Sequence, residues 1–289
     1  MAQKVAIMTD SNSGITQEQA KELGVYVLPM PFTINDQEYL EGVNLDEKHF
    51  FELLMNNSSI STSQPSPEAV CDKWDELLKE YDEVVYIPMS SGLSGSCQTA
   101  KMLAEDYDGK VEVVNNQRIS VPMRQSILDA KVLVERGLSA KEIRNALEED
   151  KFNSSIYIMV DTLEYLKKGG RITPAVAMFG TLLNIKPVLQ IQGEKLDSFA
   201  KVRKLSQAKT VMINQIEKDI INRFGGTATG KGVHMAIAYT YDREKAENFK
   251  VEVQEHFPDA DIYLDSLSLC ISCHTGPGAL GIAAMKKSF

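Results

Sequence analysis

The run Val84-Val-Tyr-Ile87, followed after Pro88 by Met89-Ser-Ser-Gly-Leu-Ser-Gly-Ser96, decides the fold class of this chain. Four apolar, mostly β-branched residues predict a buried strand, and the small hydroxyl residues behind them predict a turn. A helix is expected to continue at Cys97–Ala104. Because the apolar run Val5–Met8 is likewise followed by hydroxyl residues and then a helix, the first half indicates a parallel sheet covered by helices on both faces.

Capping residues mark where several of these helices begin. Thr16 is placed to cap a helix over Gln17–Leu23, and Ser66 precedes Pro67 at the first position of another helix. Ser139-Ala-Lys-Glu142 is a capping box that opens a helix reaching to about Asp150. Further strands are expected at Val25–Leu28 and Val111–Val114.

The second half of the chain predicts a mixed sheet. Val188–Ile191 and Leu196–Ala200 flank a Gln-Gly-Glu turn, which is typical of an antiparallel hairpin. Pro174–Leu183 is expected to form a buried apolar helix, and Leu205–Phe224 a long amphipathic helix. The length of 289 residues favours two domains, and we place their boundary near Phe152–Ser155.

Composition excludes several classes of partner. The chain carries 31 Lys and Arg against 40 Asp and Glu, a net charge of −9, without a basic run interleaved with aromatic residues. This balance disfavours nucleic acid as a partner.

We expect a soluble cytoplasmic protein, because no window approaches the ~18 apolar residues of a membrane helix. The start of the chain lacks the pattern of a signal peptide. Four cysteines are too few for a secreted disulfide framework.

Three clusters of small hydroxyl residues predict an anion site. They are Thr9–Gly14, Ser61–Ser66 and Met89–Ser96; the first and last follow strands, and the second precedes a helix. Carboxyl ends of parallel strands meet at one edge of the sheet, where ligands bind, and helix starts favour anions. Without an adjacent Lys or Arg, a carboxylate is a better fit than a phosphate. The alternative is that these residues only form turns and caps.

Two motifs resemble catalytic or nucleotide-binding loops without matching them. Gly92-Leu-Ser94-Gly-Ser96 approaches the nucleophile elbow of an acyl hydrolase, with His274 as base and Asp10 as its orienting group, but Ser96 replaces the final glycine. Gly225–Gly232 imitates a phosphate-binding loop, yet Gly232 stands where Ser or Thr should bind magnesium. The segment also runs from helix to strand, which is the reverse of the motif's order.

Cys270-Ile-Ser-Cys273-His274 is compatible with haem attachment, a redox pair or part of a zinc site, and we find little to support any of them. His274 is more informative, because a glycine-rich stretch follows it and can bring the backbone close to a ligand. Arg171 follows two glycines and can pair with an anion. We therefore predict no metal site, no cofactor and no catalytic residue.

Taken in order, these segments resemble the DegV family of bacterial fatty-acid-binding proteins. No single segment is specific, but together they span almost the whole chain. The segments that carry the resemblance are Thr9-Asp10-Ser11, Thr62-Ser63-Gln64-Pro65-Ser66, Ser90-Ser91-Gly92-Leu93-Ser94-Gly95, Gly170-Arg171-Ile172 and His274-Thr275-Gly276-Pro277-Gly278.

The resemblance implies two α/β domains that hold a long-chain fatty acid between them. Residues 1–153 would carry the carboxylate-binding loops, and residues 154–289 would form much of the acyl tunnel. Thr62 and Ser94 would bind the carboxylate, with Ser63, Ser91 and His274 behind them. The remaining implied positions are Arg171 at the mouth, facing an anion of a partner, and the tunnel residues Ile172, Met178, Phe179, Leu182 and Leu183.

The resemblance also implies a role as the acyl-carrying subunit of a bacterial fatty-acid kinase. A separate ATP-binding subunit would make the acyl-phosphate for phospholipid synthesis, and membrane contact would be only transient. Burying an acyl chain as long as that of palmitate could contribute ~10 kcal/mol of binding free energy, at about 0.8 kcal/mol per CH₂. Two alternatives stay open: an acyl-ester hydrolase that uses Ser94 and His274, and a subunit like that of dihydroxyacetone kinase, with a covalent adduct on His274.

Overall fold

The computed structural model describes residues 3–56, 58–177 and 185–289. It consists of two compact units, Met1–Lys151 together with Phe289, and Phe152–Ser288. No helix among the described residues is both long and apolar enough to cross a membrane.

The first unit contains two separate sheets and helices on either side of the larger one. Its strands are β1 (Val5–Asp10), β2 (Tyr26–Leu28), β3 (Pro31–Ile34), β4 (Gln37–Leu40), β5 (Ile60–Thr62), β6 (Glu83–Ile87) and β7 (Val111–Val113). Its helices are α1 (Gln17–Leu23), α2 (Glu47–Met55), α3 (Pro67–Leu77), α4 (Ser96–Ala104), α5 (Ser120–Glu135) and α6 (Ala140–Glu149).

The larger sheet is parallel throughout, with the strand order β2-β1-β6-β7. On one face Met8 and Tyr86 pack against Trp74 of α3 and Ala100 of α4. Helices α5 and α6 contact the same sheet through β1, β6 and β7. The predicted parallel α/β sheet is therefore confirmed. Since Thr9 of β1 pairs with Ile87 of β6, the loops that follow these two strands begin side by side.

The smaller sheet is antiparallel, in the order β4-β3-β5, and was not predicted from the sequence. Thr62 ends β5 and pairs with Phe32 of β3. The buried ring of Phe32 contacts Phe50 of α2, with 5.8 Å between the ring centroids. The second hydroxyl cluster is thus attached to a sheet edge by backbone pairing.

The second unit is built around one mixed sheet. Its strands are β8 (Ser154–Met159), β9 (Lys186–Ile191), β10 (Leu196–Val202), β11 (Val233–Tyr239), β12 (Ile262–Ser266) and β13 (Leu280–Lys286). Its helices are α7 (Glu164–Lys168), α8 (Pro174–Ala177), α9 (Leu205–Asp219), α10 (Arg243–His256) and α11 (Leu269–Thr275).

The strand order of this sheet is β10-β9-β8-β13-β11-β12. Every neighbouring pair is antiparallel except β11 and β12, so the predicted mixed sheet and its β9–β10 hairpin are confirmed. The predicted helix Leu205–Phe224 ends its α-helical part at Asp219 and finishes as a π-helical turn over Ile220–Phe224. Of the predicted helix Pro174–Leu183, α8 covers the start, and the rest lies outside the described residues.

Candidate functional site

Asp10 joins the two loops that leave the parallel sheet. Its carboxylate is fully buried at the end of β1. It accepts hydrogen bonds from the backbone N–H of Met89 at 3.0 Å and of Asn12 at 2.9 Å, and from the Asn12 amide at 2.8 Å. Burial raises the pKa of this carboxyl, against the opposing effect of the three hydrogen bonds. The hydrolase hypothesis needs Asp10 to orient an imidazole, but its oxygens hold Met89 and Asn12 instead.

The first hydroxyl cluster forms bonds within its own unit. Thr9 Oγ1 donates to the carbonyl of Ile87 at 2.8 Å, and Ser11 Oγ donates to Glu41 Oε2 at 2.6 Å. Ser13 Oγ donates to the carbonyl of Asp10 at 3.0 Å. These contacts fix the loop behind β1, so this cluster acts as scaffold, which is the turn-and-cap alternative considered above.

Ser94 lies at the start of α4 with a hydrogen to donate. Its half-buried Oγ accepts from the backbone N–H of Ser96 at 3.2 Å, which caps the first turn of the helix. Its own O–H has no acceptor within the described ranges. Gly95 at the N-cap provides no side-chain cap, so backbone N–H groups of the first turn also remain available. These groups and the helix dipole favour an anion at this position.

A glutamine brings the second hydroxyl cluster to the same helix start. Gln64 Nε2 lies 3.2 Å from Thr99 Oγ1 of α4, and Oε1 lies 3.3 Å from the same hydroxyl. A Cβ at position 95 would lie 3.3 Å from Gln64 Oε1. The segment that follows Thr62 therefore lies against the residue that follows Ser94. Gln64 belongs to the second cluster, but its contact with Thr99 was not predicted from the sequence, because no local pattern links residues 35 positions apart.

The remaining predicted residues of this unit differ in exposure. Thr62 and Ser91 are half-buried, whereas Ser63 is exposed. The backbone N–H of Ser63 donates to the carbonyl of Pro31 at 3.3 Å. Ser91 Oγ accepts a hydrogen bond from the Asn115 amide at 2.8 Å. Thr62, Ser91 and Ser94 are thus half-buried hydroxyl residues of one unit.

His274 is packed against backbone in the second unit. It lies near the end of α11, and a Cβ at position 169 would lie only 2.0 Å from its Nδ1. Burial, and secondarily the charge of Arg171, lower the pKa of His274 to about 4. The imidazole is therefore neutral at physiological pH, with one nitrogen able to donate and the other to accept.

The pKa of His274 leads to a testable pH dependence. Because the pKa falls from 6.5 when unfolded to about 4 when folded, the unfolded chain alone takes up this proton in between. The free energy of unfolding should therefore decrease as the pH falls from 6.5 towards 4, and the decrease should be at most about 3 kcal/mol. Denaturant unfolding of the wild type and of His274→Gln across this range checks it. If the free energy of unfolding depended on pH equally in the two proteins, the lowered pKa of His274 would be contradicted.

The glycines after His274 allow close packing inside the unit. Gly276 has a φ of +74°, and a Cβ there would lie 2.3 Å from the ring of Tyr165. At Gly278, with a φ of +83°, a Cβ would lie 2.6 Å from Asp161 Oδ2. Thr240 Oγ1 also donates to the carbonyl of Gly276 at 2.7 Å. The sequence predicted a close backbone approach here, and the approach that the structure shows is to these protein groups.

Arg171 provides a positive charge beside His274. Its Nη1 donates to the carbonyl of Gly169 at 2.6 Å, and its side chain is half-buried. Within the described ranges it has no carboxylate partner, so an anion can still bind its remaining N–H groups. Ile172 is half-buried, and the other predicted tunnel residues, Met178, Phe179, Leu182 and Leu183, lie outside the described residues.

Cys270 and Cys273 are buried on one short helix, α11. Burial raises the pKa of the Cys273 thiol to about 11, so it remains protonated and is a poor nucleophile and metal ligand. No group of three or more candidate ligands that could hold a metal ion occurs in the part of the chain that the structure describes. The haem, zinc and redox interpretations gain no support from this geometry.

A family model described as "Uncharacterised protein, DegV family" matches residues 4–287. A DegV domain-containing protein of Deinococcus radiodurans is 31% identical, covering 96% of this chain and 97% of that protein. Protein DegV of Bacillus subtilis is 29% identical, with 96% and 98% covered. These alignments span both units.

Solved structures agree with the sequence comparisons. A DegV family protein from Thermus thermophilus, described as binding fatty acid, has a TM-score of 0.88 at 30% identity, covering 98% of this chain and 99% of that one. DegV from Bacillus subtilis, described as a fatty acid binding protein, has a TM-score of 0.87 at 28% identity, covering 99% and 100%. The described fold is therefore shared along the whole chain.

Proposed function

We propose that this chain, which belongs to the DegV family, binds a long-chain fatty acid and acts as a carrier without catalysis of its own. The observation that carries the proposal is the helix start at Ser94. A hydroxyl donor, open N–H groups and the Thr62 segment meet there in one unit. Relatives described as fatty-acid-binding proteins support the choice of ligand.

The carboxylate requires hydrogen-bond donors, because burying a charge without partners is too costly. We assign Thr62 and Ser94 to direct contact with it on the family resemblance, which the half-buried positions of both residues and the donor hydroxyl of Ser94 support. Ser63, Ser91 and His274 are assigned to the second tier on the resemblance alone. A neutral His274 suits that role because it can donate a hydrogen bond without placing a charge in a buried position.

The acyl chain supplies the affinity in this proposal. At about 0.8 kcal/mol per CH₂, a 16-carbon chain contributes ~10 kcal/mol before ordering costs. We assign Ile172, Met178, Phe179, Leu182 and Leu183 to the tunnel that holds it. Their apolar side chains suit an acyl chain, although only Ile172 lies among the described residues.

A partner kinase would use the bound acid. We propose that Arg171, which lacks a carboxylate partner among the described residues, faces an anion of an ATP-dependent subunit that phosphorylates the carboxylate for phospholipid synthesis. Gly225–Gly232 lies between the π-helical turn and β11, and this helix-to-strand order does not suit a phosphate-binding loop. That topology supports the proposal that ATP is bound by a separate partner subunit.

The lipid that co-purifies with the protein tests the proposal. Solvent extraction of protein made in a bacterial host, followed by mass spectrometry, should identify a long-chain fatty acid at close to one equivalent. Lipid-free protein that also fails to take up added fatty acid would overturn it. Turnover of p-nitrophenyl esters that disappears in Ser94→Ala would favour the hydrolase alternative instead.

Ser94→Ala should weaken fatty-acid binding tenfold or more. A hydrogen bond to a charged group contributes about 1.5–3 kcal/mol, and about 1.4 kcal/mol corresponds to a factor of ten. Displacement of a fluorescent fatty acid gives the dissociation constant for each variant. Ser206→Ala is the matched control, because Ser206 is an exposed hydroxyl on α9 and should leave affinity unchanged. Equal affinities for Ser94→Ala and wild type would contradict the assignment.

A further inference from the structure

We infer that Asp10 is a positioning residue of the candidate site, whose buried carboxylate holds the loop after β6 in the conformation that places Ser94. The inference rests on the proposed function, because Ser94 is a residue assigned there to the carboxylate of the fatty acid. From the sequence, Asp10 was considered only as the orienting group of a hydrolase.

The two oxygens of the Asp10 carboxylate serve different loops. Oδ1 accepts from the backbone N–H of Asn12 at 2.9 Å and from its amide at 2.8 Å, within the loop after β1. Oδ2 accepts from the backbone N–H of Met89, in the loop after β6, at 3.0 Å. Because the side chain is 0% exposed, water cannot take over these bonds in the folded protein. A single buried group therefore connects the two loops.

Backbone hydrogen bonds transmit the position of Met89 to Ser94. The next residue, Ser90, donates its backbone N–H to the carbonyl of Arg118 at 2.9 Å. The carbonyl of Ser90 then accepts from the backbone N–H of Leu93 at 3.0 Å and of Ser94 at 3.2 Å. Ser94 is thus held by a turn that begins beside Met89. A displacement of Met89 is expected to displace Ser94 as well.

The charge of Asp10 acts on the first turn of α4. Burial is the main cause that raises the pKa of the Cys97 thiol to about 11, and the negative charge of Asp10 adds to the increase. Asp10 is therefore close enough to this helix start to act on it electrostatically. Loss of a negative charge cannot weaken the binding of an anion nearby. A weaker binding of palmitate after neutralisation of Asp10 would accordingly report a change in position.

Asp10→Asn tests this role with almost no change in side-chain shape. Its NH₂ group cannot accept a hydrogen bond. If the amide oxygen keeps the two donors of Asn12, the NH₂ group faces the N–H of Met89 and that connection is lost. We expect the dissociation constant for palmitate to rise about tenfold, as misplacement of one hydrogen bond to a charged group would give. Affinity for methyl palmitate, which carries no charge, should change less than about twofold.

Asp129→Asn is the matched control in the same unit. Asp129 lies on α5, is 7% exposed, and accepts from the Gln125 amide at 2.8 Å through Oδ1. Asparagine can keep this bond through its own amide oxygen, so affinity for palmitate should equal that of the wild type. The double variant Asp10→Asn with Ser94→Ala should bind palmitate no more weakly than Ser94→Ala alone, because Asp10 acts through Ser94.

Hydrogen exchange in the wild type provides a measurement that does not depend on the folding of Asp10→Asn. If the Met89 contact and carboxylate binding stabilise each other, the bound acid should slow exchange of the Met89 amide. NMR of the protein saturated with palmitate or with methyl palmitate measures this rate. We expect slower exchange with the acid than with the ester.

Four results would overturn the inference while the wild type still binds palmitate. Folded Asp10→Asn could bind palmitate as tightly as the wild type or more tightly, or it could lose equal affinity for the acid and the ester. The losses of Asp10→Asn and Ser94→Ala could be additive. The Met89 amide of the wild type could exchange equally with both ligands, and this result decides the matter if Asp10→Asn does not fold. Failure of the wild type to bind palmitate would instead reject the proposed function.

Discussion

Gly169→Ala is expected to destabilise the second unit by about 3 kcal/mol, as insertion of a methyl group into a packed site does. Gly169 has an ordinary backbone conformation, with a φ of −79°, so alanine causes no backbone strain there. The new Cβ would lie 2.0 Å from Nδ1 and 2.6 Å from Cε1 of His274. The imidazole ring or the end of α7 must therefore move.

Gly170→Ala is the control for this prediction. The adjacent glycine has a φ of +68°, and nothing lies within 4 Å of the position of its Cβ. Alanine there should cost only the backbone penalty of about 1 kcal/mol. Hydrogen exchange of the peptides from residues 152–288 measures both variants. Combining Gly169→Ala with His274→Ala should recover most of the loss, whereas an undiminished loss in the double variant would contradict the contact.

Arg118→Met is expected to lower the free energy of unfolding of the first unit by about 4 kcal/mol, the size of effect seen when a buried ion pair loses one partner. Arg118 Nη2 lies 2.6 Å from Asp150 Oδ2, and the two side chains are 1% and 5% exposed. Removing the guanidinium leaves a buried carboxylate without its cation. The single tryptophan, Trp74, is buried in this unit, so its fluorescence reports the unfolding.

Arg243→Met is the matched control for the ion pair. Arg243 Nε lies 2.8 Å from Glu247 Oε1, with side chains that are 72% and 53% exposed, so loss of this pair should leave the free energy of unfolding nearly unchanged. Adding Asp150→Asn to Arg118→Met should restore part of the stability, because it removes the buried charge that has lost Arg118. Equal effects of Arg118→Met and Arg243→Met would show that burial does not determine the contribution of the pair.

Local chemistry allowed the helix starts to be predicted from sequence. The predicted N-cap at Thr16 and capping box at Ser139 are present, and the helices that follow them begin at Gln17 and Ala140. The hydrogen bonds that define such a start join residues three positions apart, so the sequence contains all of the information. Val84–Ile87 was similarly recognisable, because a buried parallel strand is a continuous apolar run.

Strand β13 could not be recognised in the same way. Leu280–Lys286 contains a glycine and two alanines instead of a β-branched run, yet it lies between β8 and β11 in the second sheet. Ala283 and Ala284 are fully buried, and a Cβ at position 281 would lie 3.2 Å from the carbonyl of Tyr157. Small residues are favoured there by the approach of neighbouring elements, which is a tertiary property.

The candidate site was predictable only in its parts. The hydroxyls Thr62, Ser91 and Ser94 were identified from their clusters and from the family resemblance. The contacts of Gln64 with Thr99 and of Asn115 with Ser91 join residues 35 and 24 positions apart, which no local pattern encodes. These long-range hydrogen bonds bring together segments that are separate in the sequence.

The central claim, that the chain binds a fatty acid through its carboxylate, is tested most directly by calorimetric titration of delipidated wild-type protein with palmitate. Burying the acyl chain contributes about 10 kcal/mol of binding free energy before the ordering cost is subtracted. We therefore expect saturable binding of one equivalent, with a dissociation constant of about 1 μM or tighter. In the same titration, methyl palmitate, which lacks the carboxylate, should bind much more weakly. Absence of saturable binding by folded protein, or equal affinity for the acid and its ester, would contradict the account.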